Sequence, residues 1–124
     1  MSPTRAYAVS ARSTETFGRV LWSCRDQHFV ADGPVHNGCP GEAVTPAELF
    51  LAGIAACGVE LVEVIAKAED VPLAAASVEI AGEIDPDDPV RSDVNVFNRV
   101  RLSFWLEGVT AEQAELLVDR FKKR

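Results

Sequence analysis

The sequence has no surplus of positive charge. Twelve lysines and arginines stand against nineteen aspartates and glutamates, a formal net charge of -7 over 124 residues. Such a chain has little to displace counterions from a phosphate backbone, which argues against a nucleic-acid partner. Its nine arginines run from Arg5 to Arg124 without forming a basic cluster. The opening MSPTRAYAVS lacks the apolar run of a signal peptide, and no segment of membrane-spanning length is free of charge. A cytoplasmic protein with no membrane partner is the expectation. Cysteine is scarce as well. Cys24, Cys39 and Cys57 are odd in number, and their spacings match no zinc pattern. His36 and Cys39 lack two further ligands at a usable spacing, so no metal is expected. In a reducing compartment these thiols stay free, and any role they have is reactive rather than structural. Internal repeats and low-complexity stretches are also missing.

What is present is an ordinary globular mixture, 48% hydrophobic and 25% charged. Its length suits a single domain over residues 1–124 with one modest core. From Thr4 to Ala31 the residues read as strands. Ala6, Ala8 and Val9 come first, then Phe17, Val20, Leu21 and Trp22, then Phe29 and Val30, with polar turns at Ser13–Thr16 and Arg25–Gln27. The stretch DGPVHNGCPGEAV, from Asp32 to Val44, is a loop with three glycines and two prolines. Ordered loops of this length in small domains are often lids or binding loops.

Thr45 opens the clearest element. Thr45-Pro46-Ala47-Glu48 sets a capping hydroxyl before a proline at the first helical position, with a glutamate three residues on, which is a capping box. The run Leu49 to Cys57 then carries no charge at all, and a helix that is apolar all round is expected to be buried all round. Charges begin at Glu60, so the helix is expected to emerge toward solvent there and to stop near Asp70, before Pro72. Beyond it, Val78, Ile80 and Ile84 alternate with Glu79 and Glu83. Val100, Leu102, Phe104 and Leu106 alternate with Arg99, Arg101, Ser103 and Glu107. Both segments read as half-buried antiparallel strands joined by a solvated acidic loop, DPDDPVRSD. Thr110-Ala111-Glu112-Gln113 is a second capping box, and Ala114, Leu117, Val118 and Phe121 trace the face of the helix it opens. The fold class is α+β, with helices packed on an antiparallel sheet.

The chemistry centres on Cys57. A free cysteine is often simply a small core hydrophobe. Gly53, one turn earlier, and Gly58, directly after, change the balance. Each costs a helix roughly 1 kcal/mol relative to alanine, so either another helix packs closely there or space is kept above the sulfur. A nucleophile must be the thiolate. The helix dipole fades within its first turn, and Cys57 lies about three turns in. Glu60, at i+3, opposes a negative sulfur if it is charged and close. An arginine brought by the fold is therefore required. Arg19 and Arg12 are the candidates from the N-terminal strands, and Arg99 and Arg101 those from the later strand.

The segment TPAELFLAGIAACGVELVEVIAK resembles the central helix of the OsmC/Ohr family, whose pattern runs through proline, glutamate, leucine and small residues to a reactive cysteine. HFVADGP and the loop leading to VTP, then VPLAAASVEIAGEID and VFNRVRLSFWLEG, are similar to that family too, so the likeness covers nearly the whole chain. It is closer to the general OsmC-like branch than to the dedicated organic hydroperoxide resistance proteins. The resemblance implies an intertwined homodimer with thiol sites near the subunit interface. It implies a peroxidase acting on organic hydroperoxides, with no cofactor, in oxidative stress defence. The reactive cysteine becomes a sulfenic acid, a second cysteine condenses with it, and an external dithiol reductant reopens the disulfide. The residues carried over are Cys57 as nucleophile, Arg19 as its supporting cation, and Glu48 as the acid of the helix start.

Two departures stand out. In the hydroperoxide-resistance branch, the residue directly after the proline is a glutamate that helps hold the arginine; here it is Ala47, and the acid is Glu48. Nine residues turn a helix through about 900°, so Glu48 and Cys57 face opposite sides. The family's second cysteine would follow LLVDRFKKR, where this sequence ends at Arg124; Cys39 is the available substitute, against the reading of an exposed loop thiol without a role. Cys24 reads as core or edge. The alternative function is a non-catalytic dimer of the same fold that binds a hydrophobic small molecule, with Cys57 as lining.

Overall fold

The computed structural model describes residues 2–124. Their contacts divide the chain into two compact units, Met1–Leu49 and Phe50–Arg124. The class is mixed α+β, with two antiparallel sheets and two long helices.

The first unit holds three strands in the order β1-β2-β3, namely β1 (Ser10–Ser13), β2 (Arg19–Cys24) and β3 (Gln27–Asp32). The strand expected over Ala6 to Val9 does not form. Ser10 pairs with Ser23 and β2 ends at Cys24, so only Val9 would still stand opposite a strand residue, and Ala6 to Ala8 run past the end of their partner with no ladder to join. Ser13, expected in a turn, is paired with Val20. The turn begins one residue later, where the Thr14 hydroxyl donates to the Arg19 carbonyl at 2.9 Å and accepts from the Thr16 amide at 3.2 Å. A two-residue turn at Arg25–Asp26, with Arg25 left-handed at φ 53, joins β2 to β3. The register sets Arg19 opposite Asp32 and Trp22 opposite Phe29, whose rings stack at 4.4 Å. Ala31 and Asp32 are the only buried residues of this unit among those described.

Helix α1 (Pro46–Ala68) starts at the end of the first unit and opens the second. The capping box is present. The Thr45 amide donates to Glu48 Oε1 at 2.8 Å, and the Glu48 amide donates back to the Thr45 hydroxyl at 3.3 Å. The helix ends in a Schellman turn. Asp70 is left-handed at φ 55, and the Val71 amide reaches the Ala66 carbonyl at 2.8 Å. Strands β4 (Ala75–Glu83) and β5 (Arg99–Glu107) form an antiparallel pair, and α2 (Ala111–Lys122) opens on the predicted box of Thr110 and Gln113. Along β4 burial alternates with a period of two, as the sequence pattern requires. Ala76, Val78 and Ile80 stand opposite Leu106, Phe104 and Leu102. This face joins a core of Val62, Ile65, Ala66 and Leu117, flanked by Val71, Phe104, Leu106 and Phe121. Val62 and Leu117 are fully buried, and each such side chain is worth roughly 1.5–3 kcal/mol of transfer free energy.

The burial of α1 is the reverse of the expectation. Its buried residues are Gly58, Val62, Ile65 and Ala66, in the half that bears the charges. The uncharged run from Leu49 to Cys57 contains no buried residue. Phe50 is 58% exposed. Apolar composition reports a need for cover, and within one chain full burial is reached only along one stripe of the C-terminal half, while Leu49, Leu51, Ile54 and Ala55 are half-buried. By length and composition α1 is also apolar enough to cross a membrane, yet Val62 and Ile65 commit one of its faces to a packed protein core.

Candidate functional site

Cys57 is exposed, on the side of α1 away from the core. The two glycines beside it have different surroundings. A Cβ added at Gly58 would touch Phe104 at 3.4 Å and Val78 at 3.5 Å, so this glycine lies against β4 and β5 at ordinary contact distance. A Cβ at Gly53 would meet nothing within 4 Å. The open side of the helix is therefore the one carrying Gly53, Ala56 and Cys57.

Phe50, Ile54 and Cys57 follow one another at i, i+4 and i+7 and share a stripe of α1. Phe50 and Ile54 line a recess of about 510 Å³ together with Asn95, Val96, Phe97 and Val100. Phe97 stacks on Phe50 at 5.8 Å and lies over Gly82, where a Cβ would collide with its ring. Gly82 thus lets an aromatic ring reach the wall of the recess. Asn95 supplies the one polar side chain of a lining suited to an apolar ligand.

Glu48 is engaged in the helix cap. Its Oε1 accepts from both the amide and the hydroxyl of Thr45, at 2.8 and 2.9 Å. The backbone hydrogen bond from Thr45 is the main reason its carboxyl titrates below the ordinary glutamate range, and the hydroxyl adds to it.

Arg19 is held within the first unit by two acids. Its Nε donates to Asp32 Oδ1 at 2.8 Å and its Nη2 to Asp32 Oδ2 at 2.9 Å, a bidentate pair. Nη2 also donates to Glu42 Oε1 at 2.9 Å. Asp32 is fully buried and accepts two more bonds, from the amides of Glu42 at 3.0 Å and Ala43 at 2.8 Å. The hydrogen bond from Arg19 chiefly holds this carboxyl far below its usual range, against the opposing effect of burial. The same pair pushes the guanidinium still higher, so both groups are charged at every physiological pH. Among the described residues Arg19 Nη1 has no hydrogen-bond acceptor. The other candidates are less constrained. Arg99 pairs loosely with Glu83 at 3.6 Å, and Arg12 and Arg101 are exposed.

Cys39 is not the exposed loop thiol of the sequence reading. It is half-buried, and its sulfur fills the space beside Gly18 and Gly33, either of which would collide with it if it carried a Cβ. The loop is ordered around it, with the Gly33 amide on the Gly18 carbonyl at 2.8 Å and the Gly41 amide on the Gly33 carbonyl at 3.1 Å. Cys24 is half-buried at the end of β2.

Arg19 and Glu48 belong to the first unit and Cys57 to the second. Within the first unit the acids on Arg19 are Asp32 and Glu42, which the sequence reading passes over. One signal for Asp32 was present. A two-residue turn at Arg25–Asp26 sets Cys24 opposite Gln27, and counting back along both strands brings Asp32 opposite Arg19.

A family model described as OsmC-like protein matches residues 39–124. No curated protein matches the sequence. Solved structures share the fold at low identity. An OsmC-like protein from Mycoplasma pneumoniae superposes with a TM-score of 0.82 at 16% identity, over 97% of this chain and 82% of that one. An organic hydroperoxide resistance protein from Elizabethkingia anophelis, with crystallant-derived thiocyanate bound, gives 0.79 at 18%, over 99% and 85%. An organic hydroperoxide resistance protein OsmC from Legionella pneumophila gives 0.76 at 21%, over 98% and 85%.

Proposed function

The chain belongs to the OsmC-like protein family, and from that premise we propose that it is a thiol peroxidase reducing organic hydroperoxides at Cys57. The observation that carries the reading is the exposed cysteine on one helical stripe with Phe50 and Ile54, which line an apolar recess of about 510 Å³. The recess takes the hydrocarbon part of a hydroperoxide and leaves the peroxide to the sulfur. The Elizabethkingia anophelis and Legionella pneumophila structures of this fold carry organic hydroperoxide resistance in their names.

In the proposed reaction the Cys57 thiolate attacks the distal oxygen of R–O–OH. The S–O bond forms as the O–O bond breaks, and the alkoxide leaves with a proton as the alcohol. The family resemblance makes Arg19 the proposed cation for the thiolate and the departing oxygen; among the described residues its Nη1 has no hydrogen-bond acceptor. An external dithiol then reduces the sulfenic acid through a mixed disulfide, giving back the thiol with water and the oxidised reductant. Glu48 enters through the cap that fixes the start of the cysteine-bearing helix.

The same reading includes a homodimer. The uncharged run Leu49 to Cys57 has no buried residue in one chain, and among the described residues the first unit buries only Ala31 and Asp32. A second copy is the cover these faces lack. The test is reaction of the reduced protein with one equivalent of cumene hydroperoxide, with sulfenic acid trapped and located by mass spectrometry. Oxidation at Cys57 within minutes, absent from Cys57→Ser, is the expected outcome. Absence of oxidation sinks the peroxidase reading and leaves a binder of apolar ligands, in which such a ligand raises the melting temperature of wild type and Cys57→Ser alike.

A further inference from the structure

We propose that the recess lined by Phe50 and Ile54 selects ligands carrying an aromatic ring, and that Phe97, seated over Gly82 and pinned by Asn98, is the residue that determines this. The proposal deepens the peroxidase reading above, on which it rests for the hydroperoxide itself. Every residue it uses belongs to the second unit.

The inward row of β4 runs Ala76, Val78, Ile80 and Gly82, so its last place carries no side chain. Phe97 occupies that place. A Cβ at Gly82 would stand 2.7 Å from Phe97 Cε1 and 2.8 Å from its Cδ1, with Leu51 Cδ2 at 3.2 Å. The ring thus sits in a gap that any larger residue at position 82 closes. Its other neighbour is Phe50, whose ring lies 13° from parallel with centroids 5.8 Å apart. Rings at that separation are offset, and together they form one aromatic surface along the recess of about 510 Å³. Phe50 is 58% exposed, so its ring is not used up by the core.

Phe97 stands in the loop between β4 and β5, where a ring keeps a fixed place only if the backbone is held. Asn98 holds it. Its amide donates to the Glu83 carbonyl at 2.8 Å, its Oδ1 accepts the Asp85 amide at 2.8 Å, and its Nδ2 donates to the Asp88 carbonyl at 2.6 Å. These three bonds tie the end of the loop to its beginning and fix the backbone that carries Phe97. Asn98 is therefore a positioning residue, and Phe97 is the one that meets the ligand. The remaining apolar lining, Ile54, Val96 and Val100, is aliphatic and has no preference for a flat ring. An aryl group gains offset stacking on the Phe50–Phe97 surface that a saturated ring of the same skeleton lacks, about two- to tenfold in affinity.

Cumene hydroperoxide and its cyclohexyl counterpart, 2-cyclohexyl-2-propyl hydroperoxide, share one carbon skeleton and differ only in the ring. The ratio of their kcat/KM values, with dithiothreitol as reductant, cancels any loss of folded protein. Wild type is expected to favour the aryl substrate by about two- to tenfold. Phe97→Leu should bring the ratio close to one. Gly82→Ala, which displaces the ring, and Asn98→Ala, which frees it, should lower the ratio too, while Phe97→Tyr keeps the ring and should retain it. Gly82→Ala combined with Phe97→Leu should fall no further than Phe97→Leu, because both act through one ring. A parallel measurement needs no turnover. In Cys57→Ser, 2-phenyl-2-propanol should raise the melting temperature more than its cyclohexyl counterpart, and adding Phe97→Leu should erase the difference. Wild type inert toward both hydroperoxides overturns the peroxidase reading, and the melting series then decides the aryl preference by itself. An active wild type with a ratio at or below one overturns this proposal and leaves the peroxidase reading standing. So does a ratio that Phe97→Leu, Gly82→Ala or Asn98→Ala leaves in place. If Phe97→Leu does not fold, the other two variants carry the comparison.

Discussion

Gly53→Glu separates a helix face that is solvated from one that a second copy covers. Gly53 lies on the open side of α1, where an added Cβ meets nothing within 4 Å. In a solvated face the substitution removes a helix-interior glycine in favour of a good helix former, a gain of about 0.5–1 kcal/mol. For a domain of this size that raises the melting temperature by about 2–4 °C. In a twofold interface the same change inserts two carboxylates, one from each copy, into an apolar contact. Burying an unpaired ion costs several kcal/mol even after relaxation, and about 4 kcal/mol already weakens a dissociation constant by roughly a thousandfold. Gly53→Glu is therefore expected to yield monomers by sedimentation velocity at concentrations where wild type is dimeric, with a lower melting temperature despite the better helix former. A variant that keeps the wild-type oligomeric state and melts higher would refute the covered face, and with it the explanation offered for the exposed Phe50 and Cys57.

Leu117→Ala removes a fully buried side chain from the core of the second unit and should cost about 2–5 kcal/mol in urea denaturation. Thr45→Ala deletes the hydroxyl that caps α1 and should cost about 0.5–2 kcal/mol, with reduced helix content in the first turns by hydrogen exchange. Asp32 and Glu48 are both held below their ordinary range in the folded chain. A group depressed in this way contributes stability above its unfolded pKa, about 3.9 for Asp and 4.3 for Glu, and that contribution fades as pH falls through the folded value. A flat stability profile from neutral pH to about pH 5, then a decline in acid that Glu48→Gln makes shallower, is the expected melt series. Phe50→Ala opens the wall of the recess and should raise KM for cumene hydroperoxide more than for tert-butyl hydroperoxide in a coupled assay.

The parts of the fold that are legible in the sequence are those set by local rules. Both capping boxes depend on residues three apart, and the alternation in β4 and β5 follows from the pleat, so Thr45–Glu48, Thr110–Gln113 and the inward positions Val78, Ile80, Leu102 and Phe104 could all be read without a partner element. What depends on length of partner was not legible. Ala6 and Ala8 have the composition of a strand, but β2 ends before it could pair them. The cover of α1 was misread for the same reason. An uncharged run says that the helix must be shielded, and it does not say by which chain. Cys39 shows a third limit, since its packing between Gly18 and Gly33 is set by the loop closing back on β2, a contact with no periodic signature.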